Sequence, residues 1–337
     1  MIIRSLALAS LFVTSVFANT ITENFSADPA SHGWKTFGNT NLFAWDSTNH
    51  TLAVTWDSTQ TNSYFYHPLG TTVTRNDDFS VAFDLNLRDI ASGVEPGKTG
   101  PMELGFEFLN LAAATNASFM RNNFGTVPNV AGFDYYTDGY FVFGDIVYPS
   151  DAATTPTFIS GVNSYDYAPQ HISFYDNRLP NDQTVHISLV YTASNQTASV
   201  SVTTNGVALV TLPALALDGS EGFADPSDNF LVNTFCICNF SSYGDDYDSV
   251  LAHGTVANLV INVPPPAQNL VGAFTNGVWQ VQFANHLGWL YTLERTANLA
   301  SWTDASTSVS GNGTNLILTD TNAISARSFY RIRADRP

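Results

Sequence analysis

Apolar and polar residues alternate along most of this chain in short runs of period two. Residues 51–56 (TLAVTW), 79–87 (FSVAFDLNL), 102–109 (MELGFEFL), 130–136 (VAGFDYY), 185–191 (VHISLVY), 198–203 (ASVSVT) and 256–263 (TVANLVINV less its first residue) follow it. Each run is rich in β-branched and aromatic residues and is bounded by Asn, Asp, Gly, Ser, Thr and Pro, the composition of strands separated by turns. Long helical periodicity is missing from the pattern. Such a procession predicts an all-β fold, a sandwich of antiparallel sheets with Greek-key or jelly-roll connections.

Two joints fix the register and the division of the chain. Residues 185–191, the turn 192–197, residues 198–203, Asn205-Gly206 and residues 207–212 read as strand, turn, strand, tight turn, strand. Asn-Gly is a strong hairpin signal because both residues tolerate positive φ. Further on, Pro264-Pro265-Pro266 cannot enter a sheet ladder and favours extended polyproline geometry, so it predicts a stiff spacer. Beyond it, residues 270–274, 278–283, 289–295, 302–309, 316–319 and 328–333 supply some six more strands, with turn signals at Asn276-Gly277 and Gly311-Asn312-Gly313. The expected organisation is a signal peptide over 1–18, a β-sandwich over 19–263, a proline linker over 264–268 and a small β-sandwich of immunoglobulin-like or fibronectin-like size over 269–337.

The N-terminus changes the picture of where the protein works. Arg4, an apolar run over 6–17 and the small-x-small ending Val16-Phe17-Ala18 predict a secretory leader cleaved after Ala18. No other run is long and apolar enough to span a bilayer, so the expectation is a secreted protein: extracellular, periplasmic or at the cell surface. The formal net charge is −17, with only two lysines, Lys35 and Lys98, which excludes nucleic acid as a natural partner. From residue 267 onward five arginines face Glu294, Asp304, Asp320 and Asp335, so the acidity lies almost wholly in the first domain. The two cysteines, Cys236 and Cys238, would share one side of a strand, about 6.6 Å apart at Cα. That spacing is near the limit for a disulfide, and they read as small buried hydrophobes.

Candidate chemistry concentrates at residues 102–110 (MELGFEFLN). Met102, Leu104, Phe106 and Phe108 would turn to a dry side, and Glu103, Gly105 and Glu107 to a wet one. A glycine between two carboxylates leaves room for a ligand to approach, although two acids on the polar face of an antiparallel sheet are also an ordinary solvated arrangement. Residues 130–143 hold Phe133, Tyr135, Tyr136, Tyr140, Phe141 and Phe143 around Asp138-Gly139. Tyrosine suits stacking on sugar rings, and Tyr136 and Tyr140 are the expected ligand-facing pair, alternation sending about half of these rings into the core. Asp245, Asp246 and Asp248 cluster in SYGDDYD. These hard oxygen donors would suit calcium; the alternative is a solvated acidic turn, since the spacing matches no EF-hand loop. No other cofactor is called for.

The run 78–263, with DDFSVAFDL, VHISLVYTASNQTASVSVTTNGVAL and AHGTVANLVINV, resembles the concanavalin A-like and laminin-G-like jelly rolls. The tail, with YTLER over 291–295, Leu299, Trp302, Asp320 and Phe329-Tyr330-Arg331, is similar to a small β-sandwich at the ends of many exported bacterial proteins. In the glucanase branch of the jelly-roll superfamily one strand carries Glu-x-Asp-x-Glu, and Glu103-Leu104-Gly105-Phe106-Glu107 keeps that spacing without the middle acid. Residues i and i+4 stand about 13 Å apart, and two side chains leaning inward leave about 5 Å, the separation a retaining glycosidase uses. Gly105 removes the group that holds the two pKa values apart. The resemblance thus implies an exported, non-catalytic carbohydrate-binding or surface-recognition protein whose partner is a polysaccharide or glycan surface. The first alternative is a glycoside hydrolase or lyase with Glu103 as nucleophile and Glu107 as acid/base. The second is a structural envelope or matrix component.

Overall fold

The structure, a computed structural model, describes residues 19–117, 119, 129–135, 158–162, 165–168, 171–174, 179–211, 215–216, 230–242, 248–286, 289–323 and 328–335. It is all-β apart from short helical turns, and the chain divides into two compact units, Thr20–Val263 and Pro264–Pro337.

The larger unit is a jelly-roll sandwich built on two large sheets, with a separate ribbon in which Tyr165–Ala168 pairs with His171–Phe174. Its principal strands in chain order are β1 (Lys35–Phe37), β2 (Phe43–Asp46), β3 (Thr51–Asp57), β4 (Ser63–Val73), β5 (Phe79–Ser92), β6 (Leu104–Leu109), β7 (Val130–Tyr135), β8 (Phe158–Val162), β9 (Thr184–Thr192), β10 (Thr197–Thr204), β11 (Val207–Thr211), β12 (Val232–Asn239) and β13 (Asp248–Val263). One sheet runs β11-β10-β9-β5-β13-β3-β2, and the other β8-β7-β6-β12-β4-β1. Neighbours in space are far apart in sequence, as β13 beside β5 and β12 between β6 and β4 show, because the chain crosses repeatedly from sheet to sheet.

Alternation drives this packing, since burial alternates along β3, β9, β10, the Phe79–Leu87 part of β5 and most of β13. The rings from the two sheets meet in the middle. Phe83 on β5 stacks on Phe106 of β6 with centroids 4.4 Å apart, and Phe79 meets the edge of Phe108 at 4.9 Å. Trp56 of β3 closes on Phe106 at 5.8 Å. Aromatic pairs of this kind add about 1 kcal/mol each beyond their burial.

The smaller unit also has two sheets. Strands β14 (Ala267–Thr275), β15 (Val278–Asn285) and β17 (Asn315–Asp320) form one, and β16 (Leu290–Thr296) with β18 (Phe329–Asp335) anchor the other. Val281, Phe283, Trp289, Tyr291, Leu293 and Leu318 fill its core. Residues 302–309, expected as one strand, instead give two two-residue strands, Thr303–Asp304 and Val309–Ser310, both on β16. The intervening Ala305 and Ser306 break the ladder, because both of their N–H groups are donated to the carbonyl of Leu293. Strand β14 starts at Ala267, directly after the three prolines.

Candidate ligand-binding face

The residues around Glu103 and Glu107 take their places from β6, the third strand of the six-stranded sheet. Leu104, Phe106 and Phe108 point to the sandwich core, so Glu103, Gly105 and Glu107 point to the sheet's other face. Register extends that face across the strands. Glu107 stands opposite Cys236 of β12 and Gly132 of β7, Cys236 opposite Tyr66 of β4, and Tyr66 opposite Lys35 of β1. The neighbouring row is Phe37, Tyr64, Cys238, Gly105 and Asp134.

A wet face at this strand, as the alternation suggested, is not what the structure has. Glu103 retains 2 % of its exposure and Glu107 none, and all six residues of β6 are buried. Period two reports which residues share a side, not whether that side is covered. Cys236 and Cys238 are buried and unbridged, as expected of small apolar side chains.

Gly132 is a residue that the sequence reading passed over. A Cβ at this position would lie 2.8 Å from Glu107 Cγ and 2.7 Å from the carbonyl oxygen of Phe106. Glycine therefore lets the Glu107 side chain lie across β7. The sequence shows it only as a glycine beside Ala131 in VAGFDY, and its pairing with Glu107 is set by the fold.

Access to the face differs along the rows. Tyr64 is buried under the short helix Leu111–Ala114, its hydroxyl donating to the Ala114 carbonyl at 3.1 Å, and Phe37 stacks on its ring at 5.6 Å. Asn110 sets that helix in place by accepting from the Ala113 N–H at 3.2 Å, directly after β6 ends. Tyr66 is half-buried and Lys35 exposed, so the β4–β1 end of the Glu107 row is the part that reaches solvent.

The other expected site residues lie apart from this face or outside the described residues. Tyr136, Tyr140, Asp245 and Asp246 are outside them. Asp248 is buried at the start of β13, where it pairs in parallel with Gly100. Beside it in the chain is a hydroxyl network. Glu95 accepts from Ser58 Oγ at 2.8 Å and from Ser242 Oγ at 2.6 Å, and Ser249 Oγ donates to the Lys98 carbonyl at 2.8 Å. Among the described residues no three His, Cys, Asp or Glu side chains assemble to hold a metal ion. No described helix is long and apolar enough to cross a membrane.

No family model and no curated protein matches the sequence. Among solved structures, lectin UEA-II complexed with galactose is similar over 73 % of this chain and 98 % of its own, at 9 % identity and a TM-score of 0.42. Lectin I from Ulex europaeus, in complex with the methyl glycoside of α-L-fucose, aligns over 73 % and 99 % at 11 % identity and 0.40. The Ca2+-bound exoplasmic/lumenal domain of VIP36 aligns over 73 % and 95 % at 8 % identity and 0.36.

Proposed function

We propose that this is an exported, non-catalytic carbohydrate-binding protein that holds its ligand against the outer face of the six-stranded sheet. The observation that carries the reading is the Glu107 row. Together with the rest of its strand it puts half-buried Tyr66, the buried acids Glu103 and Glu107 and the glycines Gly105 and Gly132 on one side of the four adjacent strands β7-β6-β12-β4, away from the core. A sugar presents apolar C–H faces and hydroxyl edges, which the ring and the phenol of a half-buried tyrosine meet in turn. Tyr66 supplies the stacking surface, and Glu103 and Glu107 lie beneath as positioning groups. Burial supports a binding role over a hydrolytic one, because a retaining glycosidase must admit water between its two carboxyl groups. Gly105 leaves that pair without a central acid. The leader over residues 1–18 supports export, and a mature N-terminus at Asn19 checks it.

A glycan array screened with and without calcium tests the proposal. Retention is expected, weakened about tenfold in Tyr66→Ala, the loss of one ring–ring contact. Tyr136→Ala and Tyr140→Ala extend the test to the aromatic pair that follows β7. Calcium dependence would draw in Asp245, Asp246 and Asp248. Absence of retention on every glycan overturns the reading. Release of reducing ends from a retained polysaccharide, abolished by Glu107→Gln, overturns its non-catalytic half.

A further inference from the structure

Strand β14 is an edge. Among the described residues it pairs with β15 alone, and its residues from Asn269 to Phe274 are exposed apart from half-buried Gly272. An edge strand offers alternate N–H and C=O groups to any second strand, and stable proteins usually blunt it with lysine, proline or an inward charge. Here residues 267–285 contain no charged residue and no proline. Instead Leu270, Val271 and Phe274 stand 43 %, 65 % and 58 % exposed. One bulge, with Asn269 at φ 54°, interrupts the register between Gln268 and Val271, which leaves Val271 to Thr275 in unbroken register with β15.

Charge selects the partner. Thr20–Val263 holds 25 acidic against six basic residues, whereas Pro264–Pro337 holds four against five. Two copies of the large unit repel each other; two copies of the small one do not. Strand β11 is also an edge with exposed Val207 and Leu209, but it belongs to the acidic unit. An antiparallel strand pair is self-complementary about a twofold axis, so one chemistry on one edge closes a dimer.

We infer that the free edge of β14 pairs with the same edge of a second copy of this chain, antiparallel, to form a closed dimer. Val271 and Ala273 alternate on the outer face of the paired edge, in register with Gln282 and Gln280 of β15. Their replacement by lysine sets like charges across the twofold and restores the missing guard.

Sedimentation velocity of the full exported chain over a concentration series tests this. A monomer–dimer equilibrium is expected, tightening as salt screens the acidic units. Val271→Lys and Ala273→Lys should each weaken it on the order of tenfold or more, with unchanged melting curves, while Val207→Lys leaves it as it was. A chain that stays monomeric at the highest concentration overturns the inference. So does dimerisation that survives both lysines with unchanged strength, or that Val207→Lys abolishes, or open-ended fibres in place of a closed dimer.

Discussion

At position 132 only glycine leaves Glu107 its place. An added methyl group would sit 2.7–2.8 Å from the Phe106 carbonyl and from two atoms of Glu107, and two of those three atoms are backbone. Gly132→Ala must therefore push β7 from β6 or turn the Glu107 side chain away, at a cost of about 2 kcal/mol in thermal or denaturant unfolding. If the outer face binds sugar, the same variant weakens retention without touching any ligand atom. A second single-residue test lies in the smaller unit. Asp320, 1 % exposed, accepts from Arg295 Nη1 at 2.7 Å, from the Tyr330 hydroxyl at 3.0 Å and from the Asn322 N–H at 2.9 Å. Removing one partner of a buried pair costs about 3 kcal/mol or more, but the Arg295 side chain keeps a quarter of its exposure and regains water. Asp320→Ala should thus destabilise the small unit by about 2 kcal/mol, and Asp320→Asn by less, as read in equilibrium unfolding.

Between elements, the connections matter more than the strands. Glu95 links three segments that are distant in sequence, accepting from Ser58 after β3 and from Ser242 after β12, and its own N–H donates to Ser249 Oγ of β13 at 3.1 Å. Hydrogen bonds to a charged acceptor contribute about 2 kcal/mol, so Glu95→Ala should cost about that much in this half-buried place, and proteolytic nicking should rise at residues 92–101. That network could not be read beforehand, because no spacing rule joins residues 58, 95 and 242. The strands could. TLAVTW, FSVAFDLNL and VHISLVY became β3, β5 and β9 within a few residues, since a half-buried strand writes its burial directly into alternation. Asn205-Gly206 and Asn276-Gly277 turn with positive φ at both residues, 49° and 76°, then 53° and 82°, the geometry that makes the pair a hairpin signal. Residues 102–110 were legible as a strand with Glu103 and Glu107 on one side. The depth at which those acids lie was not, because alternation tells which residues share a side and not how deeply the fold buries it.

At the scale of the whole molecule, each unit holds a buried or half-buried tyrosine whose titration is raised, and the two can be separated. Tyr191 of β9 donates its hydroxyl to the Arg75 carbonyl at 2.8 Å, and burial, opposed by the Arg75 charge and aided by Asp78 and Asp77, pushes its pKa up to about 12. Tyr330 of β18 is raised to about 12 as well, first by burial and then by its hydrogen bond to the Asp320 carboxylate. In an unfolded chain both would ionise near the usual value of about 10. Because the folded value is the higher, each neutral tyrosine contributes stability that is complete below pH 10. That contribution declines as the pH rises, because the unfolded state loses its proton first, and it is gone once the folded value is passed. The expected outcome is a melting temperature that falls between about pH 10 and about pH 12. Tyr191→Phe should flatten that fall for the transition of Thr20–Val263 alone, and Tyr330→Phe for that of Pro264–Pro337, each variant giving up one hydrogen bond at neutral pH. Calorimetry of the two variants against the parent chain checks the assignment. If either substitution flattens both transitions equally, the units do not unfold independently, and the neutral tyrosines stabilise one cooperative structure instead of two.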